Sequence, residues 1–167
     1  METMGTPKSK AEVEEVLSEA KSYSFEDAER EIDDLRAKVL QEEVKLLRAD
    51  LYDLRPQLKY LTNTPELGSL YLKPYAVVIE AQKYQKALII TRDDGKLQEF
   101  DPNPSFGGKV VEPISPESAI RLYGFDAIRE GLVNIFLRKR DDMVVRAAKL
   151  TQRLERLQQS QAFLKAQ

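Results

Sequence analysis

Apolar residues recur at helical spacing twice in this chain, on either side of a stretch where they recur at strand spacing. Leu40, Val44, Leu47, Leu51, Leu54, Leu58 and Leu61 follow one another at intervals of 4-3-4-3-4-3. Met143, Ala147, Leu150, Leu154, Leu157, Gln161 and Leu164 repeat that spacing over an identical length. Such a repeat keeps one stripe on one side of a helix, so each seam predicts a helix that buries its stripe against the other seam or against another chain. An earlier stripe, Ala28, Ile32, Leu35 and Val39, is displaced by one residue from the seam that starts at Leu40. One residue is about 100° of helix rotation, so the first half of this helix faces a different neighbour from the second half.

Local signals set the boundaries. Residues 1–23 read as a flexible N-terminus with a short amphipathic helix bearing Val13, Val16, Leu17 and Ala20. Ser24 and Asp27 resemble a capping pair, and residues 24–61 form the first long helix. Pro56 removes a helical hydrogen bond and crowds the preceding turn, which predicts a kink or a restart. Thr62-Asn63-Thr64-Pro65 then ends the helix.

Residues 71–112 are different in kind. Ala76 to Ile79 and Ala87 to Thr91 are short β-branched runs, and Asp93-Asp94-Gly95-Lys96 is a hairpin turn leading into Leu97 to Phe100. A fourth strand is expected at Lys109-Val110-Val111, after a loop rich in Pro and Gly. Ser115-Pro116-Glu117 opens a short helix over residues 115–124, with Ser at the N-cap and Pro at the first position. Gly124 stops it, Asp126 caps the next, and the pattern runs through residues 126–167 without Gly or Pro after Gly131. The expected fold is α+β: a long antiparallel, coiled-coil-like helical arm, with a small three- or four-stranded antiparallel β subdomain inserted between its helices.

Composition narrows the function classes. Cysteine and histidine are both absent from the 167 residues, which removes disulfides, Cys/His zinc sites, Cys nucleophiles and His-based triads. No cofactor is expected, and the reading is non-enzymatic. No apolar run approaches the ~18 residues of a membrane span, and no signal-peptide pattern opens the chain. A cytoplasmic protein without a membrane partner is the expectation.

The net charge of −2 hides an asymmetry. Residues 1–60 carry 15 acidic and 10 basic side chains, residues 61–115 carry 7 and 6, and residues 116–167 carry 6 and 10. An acidic first arm and a basic last arm suit antiparallel pairing, because flanking charges select partner and orientation.

Three candidate sites follow. Arg138, Lys139 and Arg140, with Arg146, Lys149, Arg153 and Arg156 further along, form a basic cluster; Asp142 interrupts the row on the helix and leaves Arg146, Lys149, Arg153 and Arg156 as a stripe able to track the phosphates of a polyanion. The plain reading is that they flank the seam and pair with Glu42, Glu43, Asp50 and Asp53. Phe163 is the only aromatic between residues 137 and 167, so base stacking lacks support. Phe106, in Pro104-Ser105-Phe106-Gly107-Gly108, is placed to anchor a protein partner. The other aromatics of the β region, Tyr71, Tyr75, Tyr84 and Phe100, read chiefly as sheet core. Asp93, Asp94 and Asp101 read as a solvated turn rather than a calcium loop, since the ligand pattern of such loops is missing.

The order of coiled-coil helix, small β region and coiled-coil helix resembles the arrangement of prefoldin subunits, whose helical arms hold clients. A coiled coil leading into a small β-barrel is also similar to the N-terminal parts of proteasomal ATPases. Both likenesses are of layout, carry no motif and assign no family; the helix at 116–123 is additional to the prefoldin plan.

The resulting expectation is a scaffold or assembly protein. It oligomerises with itself, or docks into a larger multiprotein particle of viral or chaperone-like kind, through its seams and β loops. The alternative is a nucleic-acid-binding factor that uses the basic last helix.

Overall fold

The computed structural model describes residues 9–63, 74–83, 85–101 and 111–166. The chain divides into two units, Met1–Val39 and Leu40–Gln167. Phe106 and the predicted strand residues Lys109 and Val110 lie outside the described residues, as do Tyr71 and Tyr84.

The first unit holds helix α1 (Lys10–Ser22) and the N-terminal half of α2 (Phe25–Leu54). A full capping box starts α1: Glu12 N–H donates to Ser9 Oγ at 3.3 Å, and Ser9 N–H donates to Glu12 Oε2 at 3.0 Å. Ser24 Oγ accepts from the Asp27 amide at 3.3 Å and caps α2. Tyr23 and Phe25 meet edge to face at the junction, ring centroids 4.8 Å apart. No residue of α1 is buried, and Ile32, Leu35 and Val39 are 48%, 51% and 55% exposed.

The second unit is α+β. After Leu54 the chain tightens into a single 3-10 turn, Arg55–Gln57, with Pro56 inside it, and resumes as α3 (Leu58–Leu61). Four antiparallel strands follow in spatial order β1-β2-β3-β4: Tyr75–Ile79, Ala87–Thr91, Leu97–Phe100 and Val111–Pro113. Helices α4 (Pro116–Tyr123) and α5 (Phe125–Ala166) complete the chain. Ser115 caps α4, accepting the Ser118 amide at 3.1 Å. Gly124 ends α4 at φ +90°, a conformation that L side chains rarely adopt. Asp126, expected as the cap of the last helix, sits inside the first turn of α5, where its charge complements the helix dipole.

Register assigns the two faces of the sheet. Ala76 pairs with Ile90 and Ile90 with Leu97, so these share a face, and with Val78 and Leu88 they join the main core. Leu47, Leu51 and Leu58 of the first seam cover that face, together with Ala119 and Ile120 of α4 and Ile128 and Leu132 of α5. Leu40, Val44 and Leu54 pack half-buried around this cluster, and Leu61 is buried. On the opposite face Tyr75 and Phe100, from the two strands flanking β2, bring their rings to 6.1 Å on the side that carries the fully buried Ile89.

The expected seam-on-seam arm is therefore not formed within the chain. The first seam spends its apolar stripe on the sheet and on the start of α5, while Met143, Leu150, Leu154, Leu157 and Leu164 of the second stay exposed. The physical reason is competition. A four-stranded sheet has an apolar face of its own that must be covered, and the leucines of α2 and α3 share the core with it rather than with the second seam.

Candidate interaction surface

Two contrasting parts make up α5. Its first turns are locked down: Ile128, Gly131 and Leu132 are buried, and Arg129 Nε donates to Asp50 Oδ2 of α2 at 2.8 Å. From Arg140 to Ala166 every side chain is exposed. Short-range contacts accompany this exposed helix, with Arg146 on Asp142 at 3.1 Å and Thr151 Oγ1 on the Ala147 carbonyl at 2.9 Å. Such exposed pairs contribute little individually.

An apolar stripe runs down this exposed length. Met143 is 52% exposed, Leu150 67%, Leu154 56%, Leu157 54% and Leu164 69%. Scattered exposed leucines are ordinary on a protein surface; a row of them on one helix face is the mark of an interaction site. Heptad geometry places Arg146, Lys149, Arg153 and Arg156 all along one edge of the stripe. The other edge is Val144, Thr151, Gln158 and Lys165, nearly neutral.

The upper end of the stripe opens into a groove of about 560 Å³ between the end of α3 and α5. Tyr60, Leu61, Phe136, Met143, Val144 and Ala147 supply apolar lining, and Lys139 and Arg140 line it too. A neighbouring hollow of about 590 Å³ shares Tyr60, Met143 and Ala147 and adds Lys59, Arg92 and Arg146. Arg92 is held in place: its Nε donates to Thr62 Oγ1 at 2.8 Å and its Nη2 to the Thr62 carbonyl at 2.9 Å. Thr62 Oγ1 in turn donates to the Leu58 carbonyl at 2.6 Å. A cation thus sits on the carbonyl end of α3, where the helix dipole favours it.

Each residue singled out from sequence can now be placed. Leu40, Val44, Leu47, Leu51, Leu54, Leu58 and Leu61 are buried or half-buried core of the second unit. Met143, Ala147, Leu150, Leu154, Leu157 and Leu164 are exposed. Among the basic residues, Arg138, Arg140, Arg146, Lys149, Arg153 and Arg156 are exposed, whereas Lys139 is half-buried and lines the groove. The expected pairing of this row with Glu42, Glu43, Asp50 and Asp53 is replaced by nearer partners: Arg146 pairs with Asp142, Glu42 with Lys45 and Asp50 with Arg129. In the hairpin turn, Asp94 is structural: Oδ1 accepts from Thr91 Oγ1 at 2.6 Å and from the Lys96 amide at 3.0 Å. Sequence reasoning missed the groove, because Tyr60 and Phe136 lie far apart in the chain and neither spacing marks them as neighbours.

Compared with protein-family models, curated proteins and solved structures, the chain matches none. Among the described residues no helix is long and apolar enough to cross a membrane.

Proposed function

We propose that this protein is a non-enzymatic assembly protein that oligomerises or docks into a larger multiprotein complex through the C-terminal half of α5. One observation carries the reading: the second seam, heptad-spaced from Met143 to Leu164, lies open along its length. A helix that is amphipathic but unpacked gains little from its own propensity and much from a partner that covers its stripe. The edge basic residues then serve partner choice more than affinity.

The test compares the whole protein with a Leu150→Asp/Leu157→Asp variant, by size-exclusion chromatography with light scattering and by affinity capture from extract. Both positions are exposed, so at a dilution where no association occurs the variant should melt like the wild type, while at higher concentration it loses the self-associated or captured species. Equal behaviour of the two proteins in both assays rejects the reading. A second reading, nucleic-acid binding, draws on the exposed row Arg146, Lys149, Arg153 and Arg156. It requires a gel shift whose affinity falls steeply with salt and is lost when these four become Gln.

A further inference from the structure

Resting on that reading, we infer that the occupant of the basic-edged stripe and groove of α5 is the acidic helical unit of a second copy of this chain. The two surfaces are complementary in kind. Residues 143–166 carry five basic side chains and one acidic, a net of +4. Residues 9–39 carry ten acidic and five basic, a net of −5, on helices whose own apolar stripe of Ile32, Leu35 and Val39 is about half exposed. Val13, Val16 and Leu17 of α1 are likewise exposed, at 44%, 46% and 58%.

Self-pairing of the α5 stripe fits less well. In an antiparallel pair the residues preceding each seam position face one another, setting Arg146 and Arg153 against their copies. In a parallel pair they face Thr151 and Gln158, which offer no charge to meet them. The edges of the α2 stripe, Asp27, Glu31, Asp34 and Lys38 on the corresponding side and Glu29, Asp33 and Arg36 on the other, are each net acidic, so either direction sets the basic row of α5 against a net opposite charge. Lengths agree as well. Met143 to Leu164 spans roughly 32 Å of helix; Ala28 to Val39 covers about half of that, and the 13 residues of α1 supply roughly 20 Å more.

A contact between two different patches closes by reciprocal exchange into a two-fold dimer, closes into a ring, or continues into open chains. The experiment uses the full chain in three forms, followed by sedimentation velocity across a concentration series: wild type, Arg146→Glu/Arg153→Glu, and Glu29→Lys/Glu31→Lys. All four positions are exposed, and circular dichroism melting verifies that each variant is folded. The expected result is concentration-dependent association of the wild type, weakened at least tenfold in each variant alone. Mixing the two variants should restore it, because the unaltered basic α5 of the second then meets the unaltered acidic first unit of the first, and the two reversed edges meet each other. A wild type that stays monomeric overturns the inference, as does association that survives both charge reversals. Loss without recovery on mixing also overturns it. If association ignores the charges but vanishes in Leu150→Asp/Leu157→Asp, α5 pairs with itself: the inference falls and the assembly function stands.

Discussion

Gly131 of α5 lies directly over Val78 of β1, so close that a Cβ built on the glycine would collide with the Val78 carbonyl oxygen and come within 2.9 Å of Val78 Cγ1. Val78 is also where the β1–β2 register shifts, Val77 pairing with Ile89 and Ile79 with Leu88. The glycine is what lets the longest helix rest on the sheet backbone, in the way that a strand irregularity re-aims a ladder.

Replacing Gly131 with Ala should therefore destabilise the fold by about 1–3 kcal/mol, the usual range for overpacking. An unconstrained helical glycine behaves oppositely, since Ala is favoured there by about 1 kcal/mol. Urea unfolding of the variant reads the sign directly, and a stabilised G131A would show that α5 is free to lift from β1.

The two seams should respond in opposite ways to truncation. Leu47 is fully buried, at 0% exposure, so Leu47→Ala should cost about 2–5 kcal/mol. Leu154 is 56% exposed, and Leu154→Ala should stay within about 0.5 kcal/mol when melting is measured at a dilution where no association occurs. Similar losses at both sites would mean the second seam is buried after all.

Asp94 links the hairpin to acid. Partial burial pushes its carboxyl upward, but bonds from the Thr91 hydroxyl and the Lys96 amide, together with the Lys96 charge, prevail and hold it below the usual carboxylate value. A depressed folded-state pKa contributes stability above the unfolded value and loses it as pH falls through the folded one. Wild type should thus lose part of its margin over Asp94→Ala as pH drops below about 4, followed by thermal melting. An unchanging difference down to acid would remove Asp94 from the account.

Tyr123 behaves as the reverse case. Burial first, then the neighbouring Glu99 carboxylate, raise its hydroxyl to about 12. The hydroxyl donates to the Lys86 carbonyl at 3.1 Å and lies 3.3 Å from Glu99 Oε2, tying α4 to β3 and to the start of β2. Its stabilising share is whole below the ordinary tyrosine value near 10 and is lost as pH climbs through 12. Tyrosinate absorbance should show a late step that Tyr123→Phe abolishes. The variant should also be less stable at neutral pH, by about 1 kcal/mol for one net hydrogen bond.

Many of the element boundaries were legible from local chemistry. Ser24, Pro56, Ser115 and Gly124 mark boundaries because caps, ring constraints and positive φ act within a few residues. Gly95, at φ +64°, fits the predicted turn for the same reason, and a Cβ built on it would come within 3.1 Å of Arg55 Cγ and Leu58 Cδ1. The α1 capping box at Ser9 and Glu12 was equally local, though the amphipathic pattern alone did not reveal it.

By itself, then, the sequence determined the α+β class, the meander of strands, the helix ends and the charge polarity between first and last helices. Only the tertiary structure decided what each stripe covers. Spacing reports that a helix face is apolar, and leucines at 47, 51 and 58 meet a sheet as readily as they meet another helix. The choice depended on the apolar face that the paired strands present, which those leucines cover, and on Gly131, whose missing side chain lets α5 settle on Val78. With the first seam consumed by that core, the second was left exposed.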